Sequence, residues 1–121
     1  MPGLYIHIPF CKSRCAYCDF YSVPVKGEWL AQFEKALLWE AESIPDPAGW
    51  GTFTSIYLGG GTPSLLEPFF FDRLLNFLGK HFSLSPACEI TIEANPGTVD
   101  RHKLSGYRRA GINRLVLASS M

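Results

Sequence analysis

The sequence lacks an excess of either charge: eleven basic and eleven acidic side chains leave 121 residues with a formal net charge of zero. No run of Lys or Arg forms the footprint that a nucleic-acid backbone requires, so nucleic-acid binding is not expected. No apolar run approaches the ~18 residues of a transmembrane segment. Pro9 and Lys12 fall where a signal peptide would keep its apolar core, so a secretory leader is not expected either. Cysteine is sparse, four in all, and a tight cluster of three with a distant Cys88 does not look like a disulfide framework. The expectation is a soluble, cytoplasmic protein whose thiols stay reduced. What is plentiful is apolar and aromatic surface, 47% and 14% of residues, enough for one packed domain.

The chain is organised around the stretch from Leu4 to Tyr21. Leu4, Ile6 and Ile8 alternate with Tyr5 and His7, which predicts a short strand stopping at Pro9. Three thiols follow, Cys11, Cys15 and Cys18, spaced closely enough to converge on one metal centre. A fourth neighbouring Cys is missing. Structural zinc and fully ligated iron-sulfur clusters take four protein donors, whereas three thiolates on a cubane leave one iron open to a small molecule. The alternative is a zinc-binding interaction module, its fourth ligand drawn from Cys88, His7 or His102.

Beyond the cysteines the pattern alternates. Trp29 or Leu30, Phe33, Ala36 and Leu37, Trp39 or Glu40 and Ile44 recur at helical spacing and predict a helix from Glu28 to about Ile44. Thr52 to Leu58 predicts a second strand, cut off by Gly59-Gly60-Gly61. A second helix is expected from Glu67 to Leu78, burying Phe70, Phe71, Leu74, Leu75 and Leu78, with Gly79 as its C-cap. Glu89 to Ala94 alternates as a third strand, Val99 to Ala110 is a weaker helix ended by Gly111, and Arg114 to Ala118 is a fourth strand. This βαβαβαβ order predicts an α/β protein with a parallel sheet. A complete β/α barrel takes about 250 residues, so three and a half units are expected to be the first half of a barrel. The last strand is expected to leave an open edge, with marginal stability and association as consequences.

The C-x3-C-x2-C array with Tyr17 before its last Cys resembles the radical S-adenosylmethionine (SAM) superfamily. The wider string Tyr5-Ile6-His7-Ile8-Pro9-Phe10-Cys11, ending in Tyr17-Cys18-Asp19-Phe20, is similar to the HemW-type heme chaperones, relatives of oxygen-independent coproporphyrinogen III oxidase. The resemblance implies a partial (β/α)6 TIM-like barrel and a 4Fe-4S cluster held by Cys11, Cys15 and Cys18. It further implies SAM chelated at the open iron, and an electron from the reduced cluster breaking its C–S bond to give a 5'-deoxyadenosyl radical. In these terms Tyr5, Tyr17, Gly60, Gly61, Thr62 and Glu93 are SAM contacts, Tyr17 beside the adenine and the glycine segment beside the methionine end. A heme or porphyrin-precursor partner and a reducing electron donor are implied for the intact protein.

For Glu93 the bland alternative is a strand-end carboxylate paired with Arg114, and for Gly59 to Thr62 a tight strand-to-helix turn. Cys88 is expected to be a buried apolar residue, His7 to line the lumen, His81 and His102 to be solvated, and Phe69-Phe70-Phe71 to be packing. Asp19-Phe20 favours the heme-chaperone branch, because the oxidases place a further Cys there. The oxidase, which decarboxylates propionates to vinyl groups, is the alternative within enzymes. Where relatives continue Gly-Val-Gln-Ser, this chain reads Ala118-Ser119-Ser120-Met121, so a truncated core domain over residues 1–121, binding a cluster without turnover, is the expectation.

Overall fold

The computed structural model describes residues 3–11, 23–24, 27–45 and 47–117. Along them run β1 (Gly3–Ile8), β2 (Phe10–Cys11), β3 (Val23–Pro24), α1 (Gly27–Glu42), β4 (Thr52–Gly60), α2 (Pro68–His81), β5 (Ser83–Ala94), α3 (Arg101–Ala110) and β6 (Arg114–Leu117). The main sheet has the order β1-β4-β5-β6, and every pairing in it is parallel. Sequential parallel neighbours joined by helices are the product of repeated βαβ crossovers. Among the described residues this is a four-stranded, wholly parallel α/β sheet, as the alternation of apolar runs predicts. β2 and β3 form a separate two-residue parallel pair, Phe10 opposite Val23 and Cys11 opposite Pro24.

Each strand sends alternate side chains to two unlike faces. On the helix side, Ile6, Ile8, Ile56, Leu58 and Ile92 are buried beneath Phe70, Phe71, Leu74, Leu75 and Leu78 of α2, the five positions its periodicity selects. Burial of such side chains contributes about 1.5–3 kcal/mol each against unfolded exposure. On the opposite face Tyr5, His7, Tyr57, Glu93 and Arg114 gather. The Arg73 guanidinium bonds both carboxylate oxygens of Glu34, tying α2 to α1.

Several boundaries differ from the sequence pattern. α2 runs past Gly79 to His81, because the buried ring of Phe82 holds the capping position and its N–H bonds Leu78 O at 2.8 Å. β5 begins at Ser83 rather than Glu89; a register shift between its pairs with Phe53 and Ser55 absorbs Pro86, which interrupts the alternation. In α1, Leu30, Phe33, Leu37 and Ala41 face the core while Trp29 and Trp39 are exposed. Of the three consecutive phenylalanines, Phe70 and Phe71 are buried, but Phe69 lies outside under the Arg73 guanidinium, 4.6 Å from its ring centroid. His81 is half-buried and not solvated: it bonds Ala41 O at 2.9 Å and stacks on Phe77. α3 is capped by the Asp100 carboxylate, which accepts from Lys103 N at 2.7 Å, and is ended by Gly111 in the left-handed region.

Tyr107 on α3 is almost fully buried, and its hydroxyl donates to the carbonyls of Leu66 at 2.7 Å and Ser64 at 3.1 Å. It joins α3 to the loop after β4. Burial, then the nearby Glu67 charge, pushes its hydroxyl pKa well up, so the group stays protonated. Tyr107→Phe leaves those carbonyls without their donor in an apolar surrounding, at a cost of about 1–3 kcal/mol. Urea denaturation of the variant should show that loss; an unchanged midpoint would contradict the role.

Candidate functional site

The carboxyl ends of β1, β4 and β5 meet at one end of the sheet, where parallel α/β folds place their chemistry. β1 leads through Pro9 into β2, which ends on Cys11. The turn after β4 holds this exit: Gly61 N donates to Ile8 O at 2.8 Å and Thr62 N to Phe10 O at 2.7 Å. The first cysteine of the array is thereby set beside the glycine segment. Cys15, Tyr17 and Cys18 lie outside the described residues.

The glycines are required by this contact. A Cβ on Gly61 would stand 2.5 Å from Phe10 O, and one on Gly60 2.8 Å from Ile8 O. Gly60 also has φ +115°, which side-chain-bearing residues rarely adopt. The amides of 60, 61 and 62 are all engaged within the chain, to Glu93, Ile8 and Phe10. What this segment presents outward is therefore its lack of side chains, rather than its amide donors. It is a tight turn and a close-approach site at once.

Glu93, half-buried near the end of β5, accepts from the Tyr57 hydroxyl at 2.8 Å and from Gly60 N at 3.1 Å. Arg114 is not its partner. The guanidinium lies 3.9 Å from Glu89 and donates to Thr91 Oγ1 at 3.4 Å, lower on the same face. Tyr5 stacks on Tyr57 with centroids 6.0 Å apart, and its hydroxyl meets His7 Nδ1 at 3.2 Å. His7 does line this face, as expected. The bond to Glu93 comes first in holding the Tyr57 hydroxyl pKa above the ordinary 10.0, followed by burial and the Glu93 charge, with Arg114 opposing. Burial, then Glu93, raises that of Tyr5.

Ser64, at the end of the turn after β4, knits the loops after β4 and β5. It is buried, its Oγ accepts from Asn95 N at 3.0 Å, and it hydrogen-bonds Thr98 Oγ1. Cys88 is a buried thiol on the helix side of β5, its pKa raised by burial. Its neighbour Glu89 sits level with Gly3 through Ser55, so Cys88 lies at least as far from the strand exit as Gly3. The strand rise from there to Ile8 is roughly 16 Å at about 3.3 Å per residue. Cys88 therefore does not complete a centre at Cys11. His102 is exposed on α3, and among the described residues no group of three His, Cys, Asp or Glu side chains converges to hold a metal.

Of the residues that could close a zinc site, Cys88 is set apart from Cys11, while His7 lies on the site face and is bonded to the Tyr5 hydroxyl. Cys11 ends β2 beside the turn after β4, Cys88 is buried in the core, and Glu93, Tyr5 and Tyr57 lie on the opposite face of the sheet.

Comparison with known proteins agrees with this geometry. The family model of the Radical SAM superfamily matches residues 5–118, and the chain belongs to that superfamily. It is 42% identical over 114 residues to the heme chaperone HemW of Escherichia coli K12, covering 93% of this chain and 30% of that protein. The Synechocystis heme chaperone HemW is 37% identical over 120 residues, with 93% and 28% covered. A bovine relative, radical S-adenosyl methionine domain-containing protein 1, mitochondrial, is 35% identical over 113 residues, with 93% and 26% covered. Among solved structures, coproporphyrinogen III oxidase (HemN) from Escherichia coli, a radical SAM enzyme, superposes with a TM-score of 0.76 at 29% identity. That match covers 95% of this chain and 27% of the oxidase. The chain thus spans less than a third of the length of the relatives it matches.

Two outcomes test the site. Gly61→Ala forces a methyl group against Phe10 O and should destabilise the protein by about 1–3 kcal/mol, as overpacking does; a urea midpoint equal to that of the wild type would show that the close approach is not needed. The raised Tyr57 pKa stabilises the fold below pH 10.0, the ordinary value, and that contribution is lost as pH rises through the folded-state value. Urea midpoints should therefore fall above pH 10 in the wild type and fall less in Tyr57→Phe, whereas identical pH profiles would contradict the bond.

Proposed function

We propose that Cys11, Cys15 and Cys18 hold a 4Fe-4S cluster, and that SAM binds its open iron within a surround of Tyr5, Tyr17, Gly60, Gly61, Thr62 and Glu93. The observation that carries this reading is the meeting of three strand exits: the segment ending in Cys11, the side-chain-free turn after β4, and Glu93, all at one end of the sheet. Membership of the Radical SAM superfamily supports the pairing of cluster and SAM. Together the two groups supply one-electron radical chemistry, while the protein supplies orientation and shielding. Tyr5 offers an aromatic surface and Glu93 a negative charge to a cationic sulfonium ligand.

The protein's role in this reading is heme handling of the HemW type, with heme and a reducing electron donor as partners and residues 1–121 forming part of a radical SAM core domain. The 42% identity to a heme chaperone favours this over the oxidase, to which the chain is 29% identical. No helix among the described residues is long and apolar enough to cross a membrane. A cytoplasmic location is part of the proposal.

Anaerobic reconstitution with iron and sulfide, followed by metal analysis, tests the reading. About four irons with matching sulfide per chain are expected, and Cys11→Ala, Cys15→Ala or Cys18→Ala should each abolish the brown chromophore. One zinc and no iron per chain would replace this reading with a zinc-binding module.

A further inference from the structure

Tyr57 belongs to none of the sequence motifs, yet its hydroxyl makes the one side-chain hydrogen bond to Glu93 among the described residues. It lies on β4 opposite Thr91 of β5, two positions before Glu93 on the same strand face. Such diagonal neighbours stand about 7–8 Å apart at the backbone, within reach of a long side chain. Tyrosine spans that gap and ends in a donor; phenylalanine spans it without one.

The space between them is kept open by a second feature. A Cβ on Gly59 would fall 2.9 Å from the Tyr57 ring, 3.1 Å from Glu93 Oε1 and 3.1 Å from the Tyr5 ring. The absence of a side chain at Gly59 lets the two rings and the carboxylate occupy one pocket. Glu93 then has one oxygen on the Gly60 amide and the other on the Tyr57 hydroxyl. A carboxylate fixed at both oxygens cannot turn about its last bond without losing a charge-assisted hydrogen bond.

We propose that Tyr57 is a positioning residue for the cofactor site: its hydroxyl, acting through Glu93, sets the orientation in which that carboxylate meets a cationic sulfonium ligand. The inference rests on the reading of Glu93 as a SAM contact and adds the residue that makes the contact directional. Besides Glu93, the ionisable groups that act on Tyr57 are Tyr5 from β1 and Arg114 from β6. Arg114 bonds Thr91 and pairs with Glu89, so it does not substitute for the hydroxyl at Glu93.

The test is a double-mutant cycle on the reconstituted protein, with SAM affinity read from the change in the electron paramagnetic resonance signal of the reduced cluster. Tyr57→Phe should weaken SAM binding about tenfold, the scale of one hydrogen bond to a charged group, with iron content unchanged. In a Glu93→Asp background, where the shortened side chain no longer spans both donors, Tyr57→Phe should change affinity less than about twofold. Equal weakening in both backgrounds, or no weakening in either, would overturn the positioning role and leave the cofactor reading intact. A wild-type protein that takes up iron and gives no response to SAM would instead overturn the cofactor reading, and the role of Tyr57 with it.

Discussion

The structure depends on a pair of backbone hydrogen bonds that continue the β1–β4 pairing past the end of the sheet. Gly61 N to Ile8 O and Thr62 N to Phe10 O replace the regular ladder where β1 turns away at Pro9. Both need a turn without side chains, because the two main chains approach to within a distance that any Cβ at 60 or 61 would fill. The glycine segment therefore binds the chain to itself first. It places the strand exit bearing Cys11 and leaves a smooth surface on its outward side.

From that constraint the division of the molecule into two faces follows. The helix side is apolar and closed, with Ile8, Leu58, Phe71 and Ile92 fully buried. The opposite face carries Tyr5, His7, Tyr57 and Glu93, which satisfy one another through side-chain hydrogen bonds and a ring stack, with Arg114 held by Thr91 and Glu89 lower on the same face. Polar groups collected on a partly enclosed face need such partners. Underneath, Ser64, Asn95, Thr98 and Tyr107 fasten the loops after β4 and β5 to α3, so the exits that frame the site are held from below as well as from β1.

Much of this was legible in the residues themselves. The period-2 runs of β1 and β4 and the 3.6 period of α2 give element type directly, because each buries one face against the same core. Failures came where a tertiary contact overrode a local signal. Gly79 has the composition of a C-cap, but the burial of Phe82 carries α2 beyond it; the first half of β5 is broken by Pro86, so its alternation is hidden; and Trp39 fits the apolar stripe of α1 yet faces outward. At the site, Glu93 and the glycines announce themselves by motif. Tyr57 does not, since a strand tyrosine looks like any β-forming residue until register places it diagonally across from a carboxylate. The Arg114–Glu89 pairing is likewise a matter of register, which fixes what a side chain meets more strictly than proximity in sequence does.

The central claim is that the thiolate array leaves one iron of a cubane without a protein ligand, at the end of the sheet where Glu93 and the glycine turn converge. Mössbauer spectroscopy of protein reconstituted with 57Fe examines that vacancy most directly. On addition of SAM, one iron site in about four should change its isomer shift while the others keep theirs. Four equivalent sites that ignore SAM would mean that the cluster is fully ligated by the protein, and would contradict the account.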